Sequence, residues 1–410
     1  MSGGLALLMI GDELLDGRSR DTNSEWIIER AGHLGWRVDA IEVIPDGIEG
    51  IASAMVRHAA AASAVVVSGG LGPTSDDLTR DALARALGSE LVFDDALVEH
   101  IESLFRARGR RMPESNRRQA FRTPSSRVIE NPVGSAPGLL DEISGTPIAL
   151  LPGVPAELKA MFDGTVVDRL GPHLRDGAKA SVRIRTTQIA ESALVELVES
   201  SVPDLAGMDV AWCVSTWGVD LLIREGDAER LEDVAARVEA AAGRFVYGHD
   251  ATGLPDAVIE RAADAGETLA VAESCTGGLV GGALTSVPGS SEVFLGGVIA
   301  YANHIKESVL EVPQELLVAH GAVSEDVARA MASGVRRRFN ADWSVATTGI
   351  AGPGGGTAEK PVGTVCVGLA GPDGGVSSTT IRLGGDRSLV RRWSVACALD
   401  GLRRGEFGRR

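Results

Sequence analysis

Residues 268–278 have the sequence Thr-Leu-Ala-Val-Ala-Glu-Ser-Cys-Thr-Gly-Gly. The apolar half predicts a short buried strand ending at Ala272, and the small residues after it predict a turn into a helix from Leu279 to Thr285. In open α/β sheets, ligands bind beyond the carboxyl ends of the strands. We therefore expect the Ser274 hydroxyl to be exposed at this turn. Free N–H groups at the helix start are expected beside it, and they suit an anion or an oxyanion.

Further hydroxyl groups and a lysine follow this turn along the chain. Gly289-Ser290-Ser291 comes first, and Tyr301-Ala-Asn-His-Ile-Lys306 comes next. A serine is a weak nucleophile that needs a base. A lysine can act as that base where burial or neighbouring groups lower its pKa. Two interpretations remain open from the residues alone: a Ser–Lys catalytic site, or tight strand–helix packing with a solvated lysine.

These motifs resemble the C-terminal domain of the CinA family, the nicotinamide mononucleotide (NMN) deamidases. The resemblance continues through His320-Gly-Ala-Val-Ser324, Thr348-Gly-Ile-Ala-Gly-Pro353, Lys360-Pro-Val-Gly363 and Gly385-Asp-Arg387. It covers most of residues 254–405, in the order of the family. It implies hydrolysis of the NMN carboxamide to nicotinic acid mononucleotide and ammonia, with no cofactor.

The resemblance also implies roles for individual side chains. Ser274 is expected to be the nucleophile, Lys306 its base, and Tyr301 the group that orients the lysine or the amide. Either Ser290 or Ser291 is expected to relay protons, and the choice between them stays open. The expected substrate-binding residues are Glu273, Thr276, Gly277, Thr348, Gly349 and, for the phosphate, Arg387, whose guanidinium is a planar fork donor. Cys275 is the rival nucleophile because a thiol needs little activation, although a buried cysteine is more often a small hydrophobe.

Length and composition limit the class of protein. A chain of 410 residues predicts two or three domains. The net charge of −16 argues against nucleic acid as a partner, since that needs a basic face. The four cysteines form no C-x-x-C pair, so we expect reduced thiols in a cytoplasmic protein. No run approaches the roughly 18 apolar residues of a membrane span, so no membrane association is expected.

A second glycine loop, Gly69-Gly-Leu-Gly-Pro-Thr-Ser-Asp-Asp77, follows the apolar run from Ala64 to Ser68. Backbone N–H groups approach an anion most easily where no side chain blocks them. Asp76 and Asp77 would repel a bare phosphate, which makes a divalent cation between them attractive. A helix start capped by acids explains the same residues equally well.

The N-terminal region resembles the molybdopterin-binding, MoaB/MogA-like domain of CinA proteins over about residues 4–170. The motifs are Gly11-Asp-Glu-Leu-Leu15, Asp21-Thr-Asn23, the loop 69–77 with Thr79, Asn131, Gly134, Ala136-Pro-Gly138 and Leu151-Pro-Gly-Val-Pro155. The resemblance implies an ADP-ribose pyrophosphatase that uses a divalent metal ion, with K⁺ as an additional candidate ion. The implied metal residues are Asp77, Asp46, Asp76 and Asp12, and the implied substrate residues are Gly69, Gly70, Gly72, Thr74 and Asn23.

The intervening region has a different pattern, β-α-β-β-α, and resembles the KH-like middle domain of CinA. It lacks the G-x-x-G loop with which KH domains clamp nucleic acid, so we expect a spacer or dimerisation element. The fold class is therefore α/β: two α/β sandwich domains, 1–170 and 251–410, joined by a small α+β KH-like module, 171–250. A homodimer that binds NMN and ADP-ribose is expected. A non-catalytic accessory protein of DNA uptake or repair and a molybdopterin-binding protein are the alternatives.

Overall fold

A computed structural model describes residues 3–174 and 180–407. Residues 1–2, 175–179 and 408–410, which belong to the three predicted domains, lie outside the described residues. The contacts divide the chain into two compact units, residues 1–180 and 181–410. The boundary at residue 250 stays a prediction, since the regions on both sides of it share the second unit.

The first unit alternates strands and helices. Its strands are β1 (Leu5–Ile10), β2 (Val38–Ile44), β3 (Ala64–Ser68), β4 (Val92–Phe93), β5 (Phe121–Arg122), β6 (Arg127–Ile129), β7 (Gly138–Ile143) and β8 (Thr146–Leu151). Its helices are α1 (Asp12–Leu15), α2 (Asn23–His33), α3 (Ile48–Ala61), α4 (Thr79–Leu87), α5 (Asp95–Ala107), α6 (Pro155–Met161) and α7 (Val167–Leu174). A 3₁₀ segment covers Glu114–Ala120, and a π-helical turn joins α6 to α7 at Phe162–Val166.

The main sheet of this unit has the strand order β2-β1-β3-β8-β7-β6. The pairs β1–β2, β1–β3 and β3–β8 are parallel, whereas β7–β8 and β6–β7 are antiparallel. Alternation of strands and helices predicts a parallel sheet, and that expectation is wrong for β7, which runs antiparallel to both of its neighbours. The reason is the two-residue loop Ser144–Gly145 between β7 and β8, in which both residues have positive φ. Such a loop can join only antiparallel neighbours.

Helices cover both faces of this sheet, as the α/β fold class predicts. One core contains Leu8, Met55 and Leu83 with their neighbours from α3 and α4. The opposite core contains Leu7 and side chains of α2, α6 and α7, such as Ile27 and Leu170. Adjacent residues of β1 thus face opposite cores because side chains alternate along a strand.

The second unit begins with a small α+β layer. Its elements are β9 (Ala180–Thr186), α8 (Glu191–Ser201), β10 (Asp209–Val214), β11 (Val219–Glu225), α9 (Ala228–Ala242) and β12 (Val246–His249), with 3₁₀ segments at Pro203–Gly207 and Gly243–Phe245. The strands form a sheet in the order β10-β11-β9-β12. Its buried side chains pack with those of α8 and α9. The element order agrees with the β-α-β-β-α prediction, while the KH-like resemblance stays a prediction.

The rest of the unit contains α10 (Leu254–Ala265), β13 (Leu269–Glu273), α11 (Leu279–Thr285), β14 (Phe294–Ile299), α12 (Asn303–Leu310), α13 (Gln314–His320), α14 (Glu325–Phe339), β15 (Trp343–Gly349), β16 (Thr364–Ala370), β17 (Val376–Arg382) and α15 (Arg387–Arg404). The sheet order is β14-β13-β15-β16-β17. The pairs β13–β14 and β13–β15 are parallel, and β15–β16 and β16–β17 are antiparallel. The carboxyl ends of β13, β14 and β15 therefore meet at one edge.

Two cores lie on opposite faces of this sheet. Side chains of α10, α11 and α15 pack on the face that holds Leu269 and Val271. Side chains of α12, α13 and α14 pack on the face that holds Ala270 and Ala272. Among the described residues, no helix is long and apolar enough to cross a membrane.

Candidate functional site

Ser274 lies at the carboxyl edge of the last sheet, one residue beyond β13. Its N–H donates to the carbonyl of Thr347 on β15 at 2.9 Å, and the preceding carbonyl, of Glu273, accepts from Ala300 N at 2.7 Å. These bonds fix the strand end between its two parallel neighbours. The side chain is only 9% exposed, so the expectation of an exposed hydroxyl is wrong. Its burial follows from the side chain that lies against it.

That side chain is Lys306 of α12, which is 1% exposed. Its Nζ lies 3.2 Å from Ser274 Oγ and donates to the carbonyls of Ala300 at 2.8 Å and Tyr301 at 3.4 Å. Among the described residues, no carboxylate forms an ion pair with this amino group. Burial lowers the pKa of Lys306 below its usual value, because desolvation penalises the charged form. The predicted nucleophile and base are therefore in contact.

The Glu273 carboxylate fills the start of α11 instead of facing a ligand. Oε2 accepts the N–H groups of Gly278 at 2.8 Å and Val280 at 3.1 Å, and Oε1 accepts that of Gly281 at 2.8 Å. The expectation of free N–H groups at the helix start is wrong for these three. Within the described chain, the N–H groups of Cys275, Thr276 and Gly277 have no oxygen acceptor.

Arg391 holds the turn from the other side. Its Nε donates to the carbonyl of Cys275 at 3.1 Å, and a terminal nitrogen donates to that of Thr276 at 2.7 Å. Gly277 follows with φ of +60°, and a Cβ there would lie 3.4 Å from the guanidinium. Glycine suits position 277 because the backbone there is in the left-handed region.

Tyr301 and Arg387 meet at the rim of the same edge. Arg387 donates to the Tyr301 hydroxyl at 3.1 Å and to the Gly352 carbonyl at 2.9 Å. The Tyr301 side chain is 62% exposed, so its phenol does not bury Lys306. Burial lowers the pKa of Lys306, and the charge of Arg387 is not among the causes of that shift.

The predicted binding threonines are largely engaged within the protein. The Thr348 hydroxyl donates to the Ala322 carbonyl at 2.7 Å. The Thr276 hydroxyl lies 2.6 Å from that of Thr347, and Thr276 is fully buried. Gly349 ends β15 opposite Val365, whose side chain would lie 2.6 Å from an added Cβ. The binding roles of these residues stay predictions.

The two relay candidates follow Gly289 in a short 3₁₀ segment. Ser290 is buried and Ser291 is exposed. No hydrogen bond in the described chain joins either side chain to Ser274 or Lys306, so the relay role stays a prediction. The rival nucleophile, Cys275, is 5% exposed, and burial raises the pKa of its thiol to about 11. A neutral buried thiol is a poor nucleophile.

In the first unit, the Asp77 carboxylate closes the glycine loop. Oδ1 accepts Gly72 N at 2.6 Å, and Oδ2 accepts Thr74 N at 2.7 Å and the Thr74 hydroxyl at 2.5 Å. At position 69 the backbone conformation and a close neighbour require glycine, independently of any bound anion. The φ of Gly69 is +107°, and a Cβ there would lie 2.3 Å from the Ile10 carbonyl oxygen.

The loop borders a cavity of about 420 Å³. The cavity is lined by Gly69, Gly70, Gly72, Glu13, Asp46, Asp76, Asp77 and Glu157, with backbone of residues 152–154. Asp12 and Asp46 accept each other's N–H groups, at 3.2 and 3.1 Å. Asn23 is buried and donates to Ser68 Oγ at 3.1 Å and Gly153 O at 2.8 Å, while its Oδ1 has no hydrogen-bond partner in the part of the chain that the structure describes.

Several acidic side chains surround Asp46, and their charges indicate whether a divalent cation suits this cavity. Burial raises the pKa of Asp46, and the charges of Asp12, Glu13 and Asp76 add to the effect. A cation relieves such repulsion. Among the described residues, no three His, Cys, Asp or Glu side chains converge as metal ligands. Asp46 and Asp76 both line the cavity, and one or two carboxylates with water and substrate phosphates are the shell that Mg²⁺ usually takes in proteins.

Arg391 is a residue of this site that the sequence-based predictions do not include. The four-residue spacing from Arg387 was the available signal, since residues i and i+4 share a helix face. No comparable sequence pattern predicted that the Glu273 carboxylate accepts N–H groups of its own loop. Its carboxylate position depends on the tertiary course of the turn.

Comparison with known proteins agrees with this architecture. Residues 251–405 match the family described as CinA C-terminal domain, and residues 6–172 match the family described as probable molybdopterin binding domain. The competence/damage inducible protein CihA from Agrobacterium tumefaciens has a solved structure. It is 43% identical to this chain, with 36% of this chain and 91% of that chain covered and a TM-score of 0.36.

Two CinA-like proteins match nearly the whole sequence. The protein of Citrifermentans bemidjiense is 40% identical over 402 residues, which cover 98% of this chain and 97% of the relative. That of Gemmatimonas aurantiaca is 41% identical over 410 residues, with 98% and 96% covered. The chain therefore belongs to the CinA family, with a MoaB/MogA-like domain followed by a CinA C-terminal domain.

Proposed function

We propose that the last domain hydrolyses the carboxamide of NMN to nicotinic acid mononucleotide and ammonia. The observation that carries the proposal is the 3.2 Å approach of Lys306 Nζ to Ser274 Oγ, where the lysine is 1% exposed. A desolvated lysine with lowered pKa can be neutral and accept the proton of a serine hydroxyl. Salt-bridged or solvated lysines lack this property.

The reaction proceeds in two halves. Ser274 Oγ attacks the carboxamide carbon, and its proton passes to Lys306. The C–N bond breaks, Lys306 returns the proton to the leaving nitrogen, and ammonia departs. Water then attacks the resulting ester, gives its proton to Lys306, and the serine leaves with that proton.

The other proposed roles follow from charge and position. The N–H groups of residues 275–277 stabilise the oxyanion, since within the described residues none of them donates to an oxygen. Arg387 binds the substrate phosphate from the rim, where the residue is exposed. Tyr301 positions that guanidinium through the 3.1 Å contact with its hydroxyl.

The first unit supports a second proposed activity, cleavage of ADP-ribose at its pyrophosphate. The supporting observation is the cavity of about 420 Å³ where a glycine loop faces several carboxylates. Asp46 and Asp76, with Asp12 beside them, hold a divalent cation in this proposal. When bound, that cation neutralises phosphate charge and polarises the phosphoryl oxygen. Asp77 keeps the loop in shape, and Asn23 orders the base of the same cavity.

Turnover by the purified full chain tests both activities. Incubation with NMN should release ammonia and nicotinic acid mononucleotide in the presence of a chelator. Incubation with ADP-ribose should release AMP only when a divalent metal is supplied. Absence of ammonia with NMN contradicts the first proposal and leaves the non-catalytic role in DNA uptake or repair as the alternative. Absence of AMP with every metal contradicts the second.

A further inference from the structure

We infer that Arg391 is a positioning residue that sets the oxyanion-binding form of the turn after Ser274. The inference rests on the proposed Ser–Lys hydrolase chemistry. One guanidinium binds two successive backbone carbonyls, those of Cys275 and Thr276, at 3.1 and 2.7 Å. The Arg391 side chain comes from α15, which packs on one face of the sheet. Helix α12, which carries Lys306, packs on the opposite face.

Peptide geometry converts these two contacts into an orientation of N–H groups. In a planar trans peptide the C=O and the following N–H point in opposite directions. Binding of the Cys275 carbonyl therefore turns the Thr276 N–H away from Arg391, and binding of the Thr276 carbonyl does the same for Gly277. Both N–H groups lack an oxygen acceptor within the described residues. The sulfur of Cys275 lies near the first of them, but a thiol is only a weak acceptor.

Glu273 limits this effect to the first part of the turn. Its carboxylate holds the N–H groups of Gly278, Val280 and Gly281. The glutamate thus fixes the later residues from within, and Arg391 fixes the earlier ones from outside. The residues between the two anchors are those whose N–H groups stay available for a developing negative charge, where preorganised donors are most effective.

The test compares Arg391→Ala with Arg392→Ala. Arg392 is the next residue of α15, is exposed, and makes no contact with the turn. Arg391→Ala should lower kcat for NMN by about 100-fold, the cost of a misplacement of roughly 1 Å at a reacting centre. KM should change little, and the midpoint of the acid limb of the kcat–pH profile should stay in place because Lys306 is untouched. Millimolar guanidinium ion should restore part of the lost kcat, and Arg392→Ala should match the unsubstituted chain.

Three outcomes for Arg391→Ala overturn the inference. They are an unchanged kcat, a rise in KM without a fall in kcat, and a fall in kcat that guanidinium does not reverse. A rise in KM alone would make Arg391 a substrate ligand. If the alanine variant does not fold, Arg391→Lys decides, because a lysine keeps the charge but not the two-pronged donor. It should show a smaller fall in kcat, and an unchanged kcat overturns the inference.

A serine-directed fluorophosphonate separates this inference from the choice of substrate. Ser274 Oγ forms a bond to phosphorus, fluoride leaves, and the serine proton passes to Lys306. This reaction needs N–H donors that stabilise the developing negative charge on the phosphoryl oxygen, but it does not need NMN. Slower labelling of Ser274 in Arg391→Ala supports the inference even if the unsubstituted chain does not turn over NMN. Equal labelling rates overturn it, and so does absence of labelling in the unsubstituted chain.

Discussion

The two glycine-rich loops look alike in sequence and differ in what surrounds them. Each follows an interior parallel strand, β3 in the first unit and β13 in the second. In each, an acid of the chain accepts the loop's own N–H groups, Asp77 in one and Glu273 in the other. Beside the first loop lie further acids, whereas beside the second lies a buried lysine. A glycine loop therefore does not by itself define an anion site, and its neighbours decide the chemistry.

The largest expected effect separates the two loops by activity. Ser274→Ala should lower NMN deamidation by roughly 10⁶-fold, the scale of loss for a catalytic serine. ADP-ribose cleavage should persist, because the two proposed sites lie in different units. Ammonia and AMP release by the same preparation measure both effects. Cys275→Ala is the matched control and should keep deamidation. Loss of both activities in folded Ser274→Ala would show that the sites are not independent.

Lys306→Arg tests whether the buried cation is a base. Arginine keeps the charge but cannot release its proton, so kcat should fall by about 10²- to 10⁴-fold with little change in KM. Burial lowers the pKa of Lys306. The neutral form therefore grows as pH rises through that lowered pKa, and kcat of the unsubstituted chain should rise with it. This acid limb should vanish in the variant.

The matched control for that change is Lys360→Arg. Lys360 belongs to the same unit and donates to the His320 carbonyl at 2.6 Å, a contact that arginine can keep. It should retain kcat and the acid limb. Near-normal kcat in Lys306→Arg would instead make Lys306 an electrostatic anchor, and the base would have to be sought elsewhere.

Asp77→Ala tests whether the first loop depends on its internal acceptor. Removal of the carboxylate leaves the N–H groups of Gly72 and Thr74 without their acceptor. The exposed Thr74 N–H can turn to water, whereas the partly buried Gly72 N–H loses its partner at a cost of up to about 1–3 kcal/mol. ADP-ribose cleavage should be lost, deamidation should persist, and added Mg²⁺ should not restore the loss. Asp95→Ala, at an exposed acid of α5, is the control. Recovery at high Mg²⁺ would identify Asp77 as a metal ligand instead.

The smallest effect concerns Asp46 and its acidic neighbours. Burial and nearby charges raise the pKa of Asp46 above the unfolded value. The ionised group is therefore unfavourable to folding above that raised pKa, and the penalty disappears below the unfolded pKa. Asp46→Asn should raise the unfolding free energy at pH 7 by less than about 1 kcal/mol, and the gain should fade as pH falls towards about 3.9.

Thermal unfolding at both pH values, with and without Mg²⁺, measures that difference. Bound Mg²⁺ should stabilise the unsubstituted chain more than Asp46→Asn. In the unsubstituted chain the cation removes the repulsion among the acids, whereas in the variant the neutral amide has already reduced that repulsion. Glu90→Gln is an isosteric change at an exposed acid and should alter neither value. A variant less stable than the unsubstituted chain at pH 7 would contradict the repulsion.

The sequence by itself determined much of the local structure. Strands β3 and β13, helix α11 and the two glycine loops begin or end within a few residues of their predicted positions, since periodicity, caps and glycines act over short distances. The motif around Ser274 also nominated the serine and the lysine. Only the tertiary structure decided that Lys306 is buried against Ser274, 32 residues away, and that Glu273 and Asp77 turn into their own loops. It also decided that β7 runs antiparallel to both of its neighbours. Burial, desolvation and long-range hydrogen bonds depend on residues distant in the chain, and no local pattern specifies them.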